Sequence, residues 1–406
     1  MVHRSIHPFE TEVTTNAHVT SQAPTQVPLS EVALLFLKLG TIAFGGPAAH
    51  IAMLEDEVVR RRKWISREHF LDLLGASNLI PGPNSTELAI HVGHHVAGWR
   101  GLLVAGACFI LPAMLIVGAL GGGYVTYGAL PQVDWILYGV KPVVIAVVLQ
   151  ALWGLSRTAI KSRSLAGLAL ATLILMLLGV NELLLLFTAG LVWGIKRWPN
   201  RPRQDGTTLM QAFTALPLLG LAPGVIAAGS TPFGLWPLFW FFLKVGSVLY
   251  GSGYVLLAFL DAGLVERMGW ITRTQLLDAV AIGQITPGPV FTTATFIGYL
   301  VGGPVAALVA TVGIFLPAFF FVAVSGPLIP RIRKSPIAAS VLDGVNVASL
   351  GLMAAVTIQL AQAAVTDWLT LTLALLSAVL LIRFRLNSAW LVLGGALAGL
   401  LAWQLR

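Results

Sequence analysis

Long uninterrupted stretches of apolar residues constrain this chain more than any other feature of its sequence. The clearest is Gly101–Tyr124, which contains no charged residue and is long enough to cross a bilayer as a helix. A soluble domain carries about 25% charged residues, whereas only 10% of these 406 residues are charged and 57% are hydrophobic. We therefore expect an all-α polytopic membrane protein in a lipid bilayer. Further apolar stretches are Leu165–Val180, Trp236–Leu260, Pro304–Gly326 and Ser388–Trp403.

Several classes of function do not fit the composition. The formal charge of +8 comes from basic residues in short loops, which is typical of membrane topology and not of nucleic-acid binding. Cys108 is the only cysteine, so one chain has neither a disulfide nor a cysteine metal site. We find no phosphate-binding loop and no nucleophile elbow. The sequence therefore predicts no enzyme activity, no cofactor and no bound metal.

The two halves of the chain are related in sequence. Phe36–Gly40 recurs as Phe242–Gly246, and the same offset of 206 relates Pro81-Gly82-Pro83 to Pro287-Gly288-Pro289. After one deletion the offset becomes 205, which relates Leu111-Pro112-Ala113 to Leu316-Pro317-Ala318. The predicted organisation is a polar mobile tail without a signal-peptide pattern (1–29), a first repeat (30–198), a linker (199–235) and a second repeat (236–406).

The distribution of lysine and arginine indicates that the repeats are inverted. Arg60–Arg67 should be cytoplasmic, whereas Gly121–Val133 has no basic residue and should be outside. The second-half equivalent of that outer loop is basic (Arg331–Lys334), so equivalent loops lie on opposite sides. This requires five crossings per half and Pro-Gly-Pro segments that enter the membrane and return. With full crossings there instead, and a crossing linker, the count rises to about thirteen; the range is about 10–13 helices.

The two Pro-Gly-Pro segments are the main candidate site. Each proline pair breaks a helix and frees backbone groups, and in a bilayer such a break is tolerated only inside protein or beside a water-filled cavity. The restarting helix offers N–H groups to an anion, although two structural bends are the alternative. The predicted substrate-binding residues are Asn78, Pro81, Gly82, Pro83, Asn84, Ser85 and Thr86, with Gln284, Pro287, Gly288, Pro289, Thr292 and Thr293.

Basic residues within the apolar segments add to this site. Lys38 and Lys244 are equivalent and lie deep in their helices, where a lysine is costly and usually functional. Together they could neutralise a dianion, or each could pair with a carboxylate or carbonyl to hold the bundle. Lys141 is placed similarly, but its partner position is Asn346.

Small and titratable residues flank the predicted breaks. Gly45 and Gly46 allow close approach of a ligand or of a neighbouring helix, with His50 and Tyr254 beside them. Glu87 is either a proton carrier or a helix cap. His91, His94 and His95 share one helix face and favour proton handling over a metal. The predicted proton-coupling residues are Glu87, His50 and His91.

These motifs resemble the chromate ion transporter family, in its long two-domain bacterial form. The resemblance rests on Phe36–Gly40 with Gly45–His50, on Pro81–Glu87, and on Gln284–Thr293 with Phe296–Tyr299. It implies a multi-pass protein of the bacterial inner membrane that exports chromate and confers chromate resistance, with sulfate as a look-alike anion. Uptake of sulfate or a related oxyanion, a passive anion channel and a scaffold without transport remain alternatives. The oligomeric state stays open, a homo-oligomer included.

Overall fold

The computed structural model describes residues 27–44, 46–128, 130–197, 232–250, 253–384 and 386–405, and all regular secondary structure in these ranges is helical. Four helices are long and apolar enough to cross a membrane: Asn84–Tyr127, Pro131–Ala159, Val290–Ser325 and Ile337–Ala364. Most of the tail (1–29) and of the linker (199–235), including the apolar part 209–229, lies outside the described residues.

Within the described ranges, each half contributes seven α-helices in matching order. Those of the first half are α1 (Leu29–Ile42), α2 (Gly46–Glu55), α3 (Arg67–Ser77), α4 (Asn84–Tyr127), α5 (Pro131–Ala159), α6 (Arg163–Leu177) and α7 (Glu182–Arg197). Those of the second half are α8 (Leu235–Val248), α9 (Leu256–Leu260), α10 (Arg273–Ile285), α11 (Thr293–Lys334), α12 (Pro336–Ala364), α13 (Trp368–Phe384) and α14 (Ser388–Gln404). Helices α2 and α9 continue as π-helical turns, Asp56–Arg61 and Asp261–Arg267.

Local sequence explains several helix starts. Ser66 caps α3 by accepting a hydrogen bond from the backbone N–H of His69. Its counterpart Thr272 forms a complete capping box with Gln275 at the start of α10. Pro131 and Pro336 open α5 and α12, where the missing N–H of proline costs nothing.

Helices α4 and α11 are each bent into a hairpin. Non-helical backbone at Ala97 and Gly98 divides α4 into α4a (84–96) and α4b (99–127). A Cβ atom on Gly93 would lie only 2.4 Å from the Cβ of Ala105, although these residues would be about 18 Å apart along a straight helix. Gly302 and Gly303 divide α11 in the same way into α11a (293–301) and α11b (304–334).

The first Pro-Gly-Pro segment is the tip of a re-entrant hairpin formed by α3 and α4a. His69 near the start of α3 and His95 at the end of α4a are 3.1 Å apart between Nε2 and Nδ1. The chain therefore enters the bundle along α3, turns at Pro81–Pro83 and returns along α4a. The segment thus folds back instead of continuing across, and its entry into the membrane stays a prediction.

The α1–α2 segment also folds back, which the sequence did not predict. Lys38 Nζ lies 2.6 Å from Glu57 Oε1, whereas a continuous helix would separate these residues by about 28 Å. The reversal falls at 43–46, so α1 and α2 form a second hairpin. The helices that follow the hairpins are α4b to α7 in the first half and α11b to α14 in the second. Of these, the helices long and apolar enough to cross a membrane belong to α4, α5, α11 and α12. The expected five crossings per half stay a prediction.

The two halves are inverted relative to each other. The mouth of the first-half hairpin, at His95, lies where α4b begins. Along α4b toward its other end, Ala113 contacts Gly288, Gly118 contacts Thr295 and Gly122 contacts Tyr299. The second-half hairpin therefore opens where α4b ends, at the opposite face of the bundle. The inverted repeat is confirmed.

Helices of each half pack on the other half. Helices α6 and α7 pack against α12, and in return α13 and α14 pack against α5. Helices α5 and α14 approach so closely that a Cβ on Gly399 would lie 1.9 Å from the carbonyl oxygen of Trp135. Glycine is the residue that permits this approach.

Gly399→Leu is expected to destabilise the protein by about 1–3 kcal/mol or more, because the added side chain has no room between α5 and α14. Gly394→Leu is the matched control on the same helix, since a Cβ at Gly394 meets no atom within 4 Å. Thermal unfolding of the detergent-solubilised variants measures the difference. Equal melting temperatures would show that the crossing is looser than described.

Basic residues in the described ranges concentrate at one end of the bundle, which we term the basic face; the opposite end is the far face. The far face carries Arg267 and Arg273, and both are paired with acids: Arg267 with Glu182 at 3.3 Å and Arg273 with Asp261 at 3.1 Å. Members of the basic face are Arg60, Arg61, Arg62, Lys63, Arg67, Arg100, Arg157, Lys161, Arg163, Lys196, Arg197 and Arg383.

The described part of the first repeat ends at Arg197 on the basic face. The described residues just before α8 lie on the far face, where the Phe233 ring contacts Gly302 at the turn of α11.

Candidate functional site

The two Pro-Gly-Pro tips meet the ends of α1 and α8 near the middle of α4b, through two hydrogen bonds. The Gly82 N–H donates to the carbonyl of Leu249 at the end of α8, at 2.8 Å. The Gly288 N–H donates to the carbonyl of Ala43 at the end of α1, at 3.0 Å. An offset of 206 converts one bond into the other, so each half caps a broken helix of the other. This junction of helix breaks is the candidate site.

Backbone chemistry explains why glycine stands between two prolines at each tip. Prolines have no N–H, so the glycine is the donor that reaches the opposite half. Gly82 and Gly288 have φ values of +135° and +90°, a region that favours glycine. A Cβ on Gly288 would also lie 2.6 Å from the Cβ of Ala113. The tips are therefore fixed by steric constraint as well as by hydrogen bonds.

Polar atoms without partners are concentrated beside this junction. Thr86 Oγ1, both carboxyl oxygens of Glu87, and His91 Nε2 are buried on α4a, and Gln284 Nε2 lies at the other tip. None of these atoms has a hydrogen-bond partner within the described ranges. Glu87 Oε1 lies against Gly82, where a Cβ would be 2.2 Å away. Buried polar groups are normally paired, so this cluster indicates a place that receives a polar solute or a proton.

His50 links the two tips of the first half. Its Nε2 lies 3.0 Å from the carbonyl of Ala43, and its Nδ1 lies 3.2 Å from Ser85 Oγ. Because a carbonyl can only accept, Nε2 carries the proton and Nδ1 accepts from the Ser85 hydroxyl. Ser85 therefore donates to His50 in this arrangement, so an anion would have to compete for that proton.

The remaining predicted tip residues differ between the halves. Asn84 donates to Asn78 across the first tip at 2.6 Å, and Tyr254 donates to Gln284 Oε1 at 3.1 Å in the second. Thr292 and Thr293 were expected to donate to an oxyanion. Their hydroxyls instead donate to backbone carbonyls in the short 3₁₀ turn, at 2.7 and 2.9 Å. The first half thus supplies most of the free polar atoms. Pro81, Pro83, Pro287 and Pro289 are buried at the tips.

The two lysines flank the junction from opposite sides. Each lies five residues before the carbonyl that caps the other half, and the repeats are inverted, so Lys38 is toward the basic face and Lys244 toward the far face. The side chain of Lys38 is 46% exposed and its hydrogen bond lowers the pKa of Glu57. Lys244 lies within electrostatic range of Glu182 and Arg267. The expectation that both lysines contact one anion together stays a prediction.

The other described histidines lie away from the junction. His94 packs edge-on against Trp99, and the tilted rings of His95 and His69 contact each other near the basic face. The described part of the chain has no group of three or more residues suited to a metal ion. Gly45 lies outside the described residues, and Gly46 begins α2 with a φ of +76°.

Sequence reasoning missed two elements of the site. Tyr250 follows the break after α8 and is close enough to Glu87 for a charge there to act on its hydroxyl. Asp278 is buried between Lys141 and Tyr124, on the far-face side of the junction. The available signal was that Asp278 recurs as Asp72 at the offset of 206, but Lys141 does not recur, because its equivalent is Asn346.

Comparison with known proteins places this site in a family. The family described as "Chromate transporter" matches residues 30–195 and 236–400, and so covers both repeats. The chain belongs to the chromate transporter family. The match in each half agrees with the two-repeat organisation of this chain, and the protein is a multi-pass membrane transporter.

Curated relatives match over nearly the full chain. A chromate transport protein of Cupriavidus metallidurans is 34% identical over 97% of both chains. A probable chromate transport protein of Synechococcus elongatus is 31% identical, over 93% of this chain and 96% of the relative. A chromate transport protein of Pseudomonas aeruginosa is 30% identical over 95% of both chains. No solved structure matches the chain at a significant level.

Proposed function

We propose that the protein is a secondary transporter that exports chromate through the junction of helix breaks. The observation that carries the proposal is the cluster of buried, unpartnered polar atoms at that junction: Thr86 Oγ1, the Glu87 carboxyl, His91 Nε2 and Gln284 Nε2. A polar solute that gives up its hydration shell needs such partners. Broken helices at the interface of inverted repeats are where secondary transporters bind their substrates.

Anion selectivity follows from the groups that surround this cluster. Helix α4a starts at Asn84 and points its free N–H groups toward the tip, where they favour negative charge. Thr86 and Gln284 add hydrogen-bond donors, and Lys38 and Lys244 supply positive charge on either side of the junction. Chromate is the substrate named for the relatives, and sulfate has the same tetrahedral shape and charge.

A buried Glu87 is compatible with an anion only when it carries a proton. An ionised carboxylate without a cation or donor costs several kcal/mol at this place, and a dianion would repel it further. Protonated Glu87 instead presents an O–H group that can donate to an oxyanion. Proton exchange through Glu87, His50 or His91 is then a second way to drive transport besides the membrane potential.

The membrane potential alone can drive export. We place the basic face in the cytoplasm by the positive-inside rule, in the inner membrane of a bacterium. Moving one charge through 100 mV is worth about 2.3 kcal/mol. A dianion leaving through about 150 mV therefore gains roughly 7 kcal/mol, or about five decades in concentration.

Chromate uptake into inside-out membrane vesicles with an imposed potential tests this function. We expect vesicles that contain the protein to accumulate chromate to a ratio whose logarithm rises in proportion to the potential, and vesicles without it to accumulate none. Accumulation in right-side-out vesicles alone would point to uptake of sulfate or a related oxyanion. Currents far above carrier turnover would point to a channel, and no flux of any anion in sealed vesicles would contradict the proposal.

A further inference from the structure

The two re-entrant hairpins are equivalent in sequence but not in packing. Helix α10 packs against α5, α12 and α14, which surround it on the far-face side. Its counterpart α3 packs against α4, with a slight contact to α11, and makes no comparable packing with the other described helices. Leu277 on α10 is 0% exposed, whereas the equivalent Leu71 on α3 is 49% exposed.

An ion pair is present in the closely packed half, and its lysine does not recur in the other half. Lys141 Nζ on α5 lies 3.0 Å from Asp278 Oδ1 on α10, and the Tyr124 hydroxyl donates to Asp278 Oδ2 at 2.8 Å. Asp278 is 2% exposed. The equivalent of Asp278 is the exposed Asp72, and the equivalent of Lys141 is Asn346. The ion pair and the Tyr124 hydrogen bond therefore join α10 to the first half on the far-face side.

Because the repeats are inverted, the difference in packing between α3 and α10 is also a difference between the two faces of the bundle. If the halves exchanged their packing, α3 would pack against α12, α5 and α7, and α10 would become exposed. The two arrangements would open the junction to opposite faces, which is how inverted-repeat transporters alternate access. The described arrangement has the basic-face hairpin exposed and the far-face hairpin covered.

We propose that this conformation is open toward the basic face, and that Lys141, Asp278 and Tyr124 form the gate that closes the junction from the far face. The inference rests on the proposed function, because a gate matters only if a solute crosses. Breaking the ion pair leaves a buried charge uncompensated, so the state in which α10 is covered loses stability relative to the state in which α10 is exposed. Since Asn346 replaces the lysine in the other half, the two gates differ in strength.

Site-directed labelling tests the gate without any assumption about the substrate. Cys108→Ala removes the only cysteine, and Leu71→Cys or Leu277→Cys then reports on equivalent surfaces of α3 and α10. A membrane-impermeant maleimide is applied to inside-out and to right-side-out vesicles. We expect Leu71→Cys to react from the basic face and Leu277→Cys to be protected from both sides.

Gate variants supply the decisive comparison. Asp278→Asn should raise the labelling rate of Leu277→Cys from the far face on the order of tenfold, because a minor state that is open to that face becomes populated. Tyr124→Phe, a milder change, should raise the rate less. The exchanged pair Lys141→Asp with Asp278→Lys should restore protection. Asp72→Asn is the matched control and should leave Leu277→Cys protected.

Three results would overturn the gate. Leu71→Cys that reacts from neither side would mean that lipid or a second copy covers α3. Leu277→Cys that stays protected in the folded Asp278→Asn and Tyr124→Phe variants would mean that the ion pair holds nothing closed. An exchanged pair that labels as fast as Asp278→Asn would show that charge pairing is not the cause. A protein that labels as expected but carries no chromate would retain the gate and lose the proposed substrate.

Discussion

Chromate flux is expected to fall by about 10- to 150-fold when Lys38 is replaced by alanine. A hydrogen bond to a charged group contributes about 1.5–3 kcal/mol, and each 1.4 kcal/mol is about tenfold in an equilibrium. Lys38 is half exposed toward the basic face and is the cation nearest to the junction along α1. We expect an anion arriving from that face to contact it before it reaches Thr86. Flux into inside-out vesicles at equal folded protein measures the effect.

The ion pair with Glu57 supplies the control that separates transport from structure. If Lys38 binds the anion, Glu57→Gln alone keeps flux, and Lys38→Ala with Glu57→Gln stays as low as Lys38→Ala. If Lys38 merely compensates Glu57, removing both charges restores flux, and that result would contradict the assignment. Lys161→Ala serves as a surface control, because Lys161 is 60% exposed and pairs with Asp343 on the same face; its flux should be near normal.

Glu87→Gln is expected to remove the pH dependence of transport while keeping potential-driven flux. The wild-type site accepts a dianion only while Glu87 is protonated, so its flux should fall as the pH rises through the ionisation of Glu87. Glutamine keeps the shape and a donor but cannot ionise. The ratio of variant to wild-type flux should therefore rise with pH, by up to about tenfold per pH unit for one linked proton.

Taking this ratio at each pH cancels the protonation of chromate itself, because both proteins meet the same substrate. Thr86→Val is the companion variant, since it removes the neighbouring buried hydroxyl without changing charge; it should lower flux at every pH and leave the slope unchanged. A folded Glu87→Gln protein without flux at any potential would mean that Glu87 must exchange a proton in each cycle. The proposal that the membrane potential alone drives export would then be wrong.

Much of the fold could be predicted from the sequence, because the repeat and the charges of the loops can be identified without knowledge of the tertiary contacts. The offset of 206 revealed the repeats, and loop charges revealed their inversion before any contact was known. The return of α1 onto α2 was missed, although Gly45-Gly46-Pro47 carries a helix-breaking signal. That segment continues as an apolar run, and the Lys38–Glu57 ion pair that demonstrates the reversal depends on tertiary packing.

The candidate site could be predicted only in part, for a physical reason. The Pro-Gly-Pro tips are local features and were found. The hydrogen bonds from Gly82 to Leu249 and from Gly288 to Ala43 join residues of different halves, and no local pattern encodes such pairs. Lys141 was not among the predicted binding residues, because its equivalent in the second half is Asn346. That difference between the halves is what distinguishes the two faces. The hydroxyls of Thr292 and Thr293 turned to the backbone because a 3₁₀ turn offers carbonyls within reach.

The position of bound chromate tests the central claim most directly. Chromium scatters X-rays anomalously, so a crystal of the protein grown with chromate locates the anion without a model of its oxygens. We expect one peak at the junction, with chromium about 4 Å from Thr86 Oγ1 and close to the tips at Gly82 and Gly288, as hydrogen bonding through an oxygen requires. A single ordered peak elsewhere, with this junction empty at saturating chromate, would contradict it.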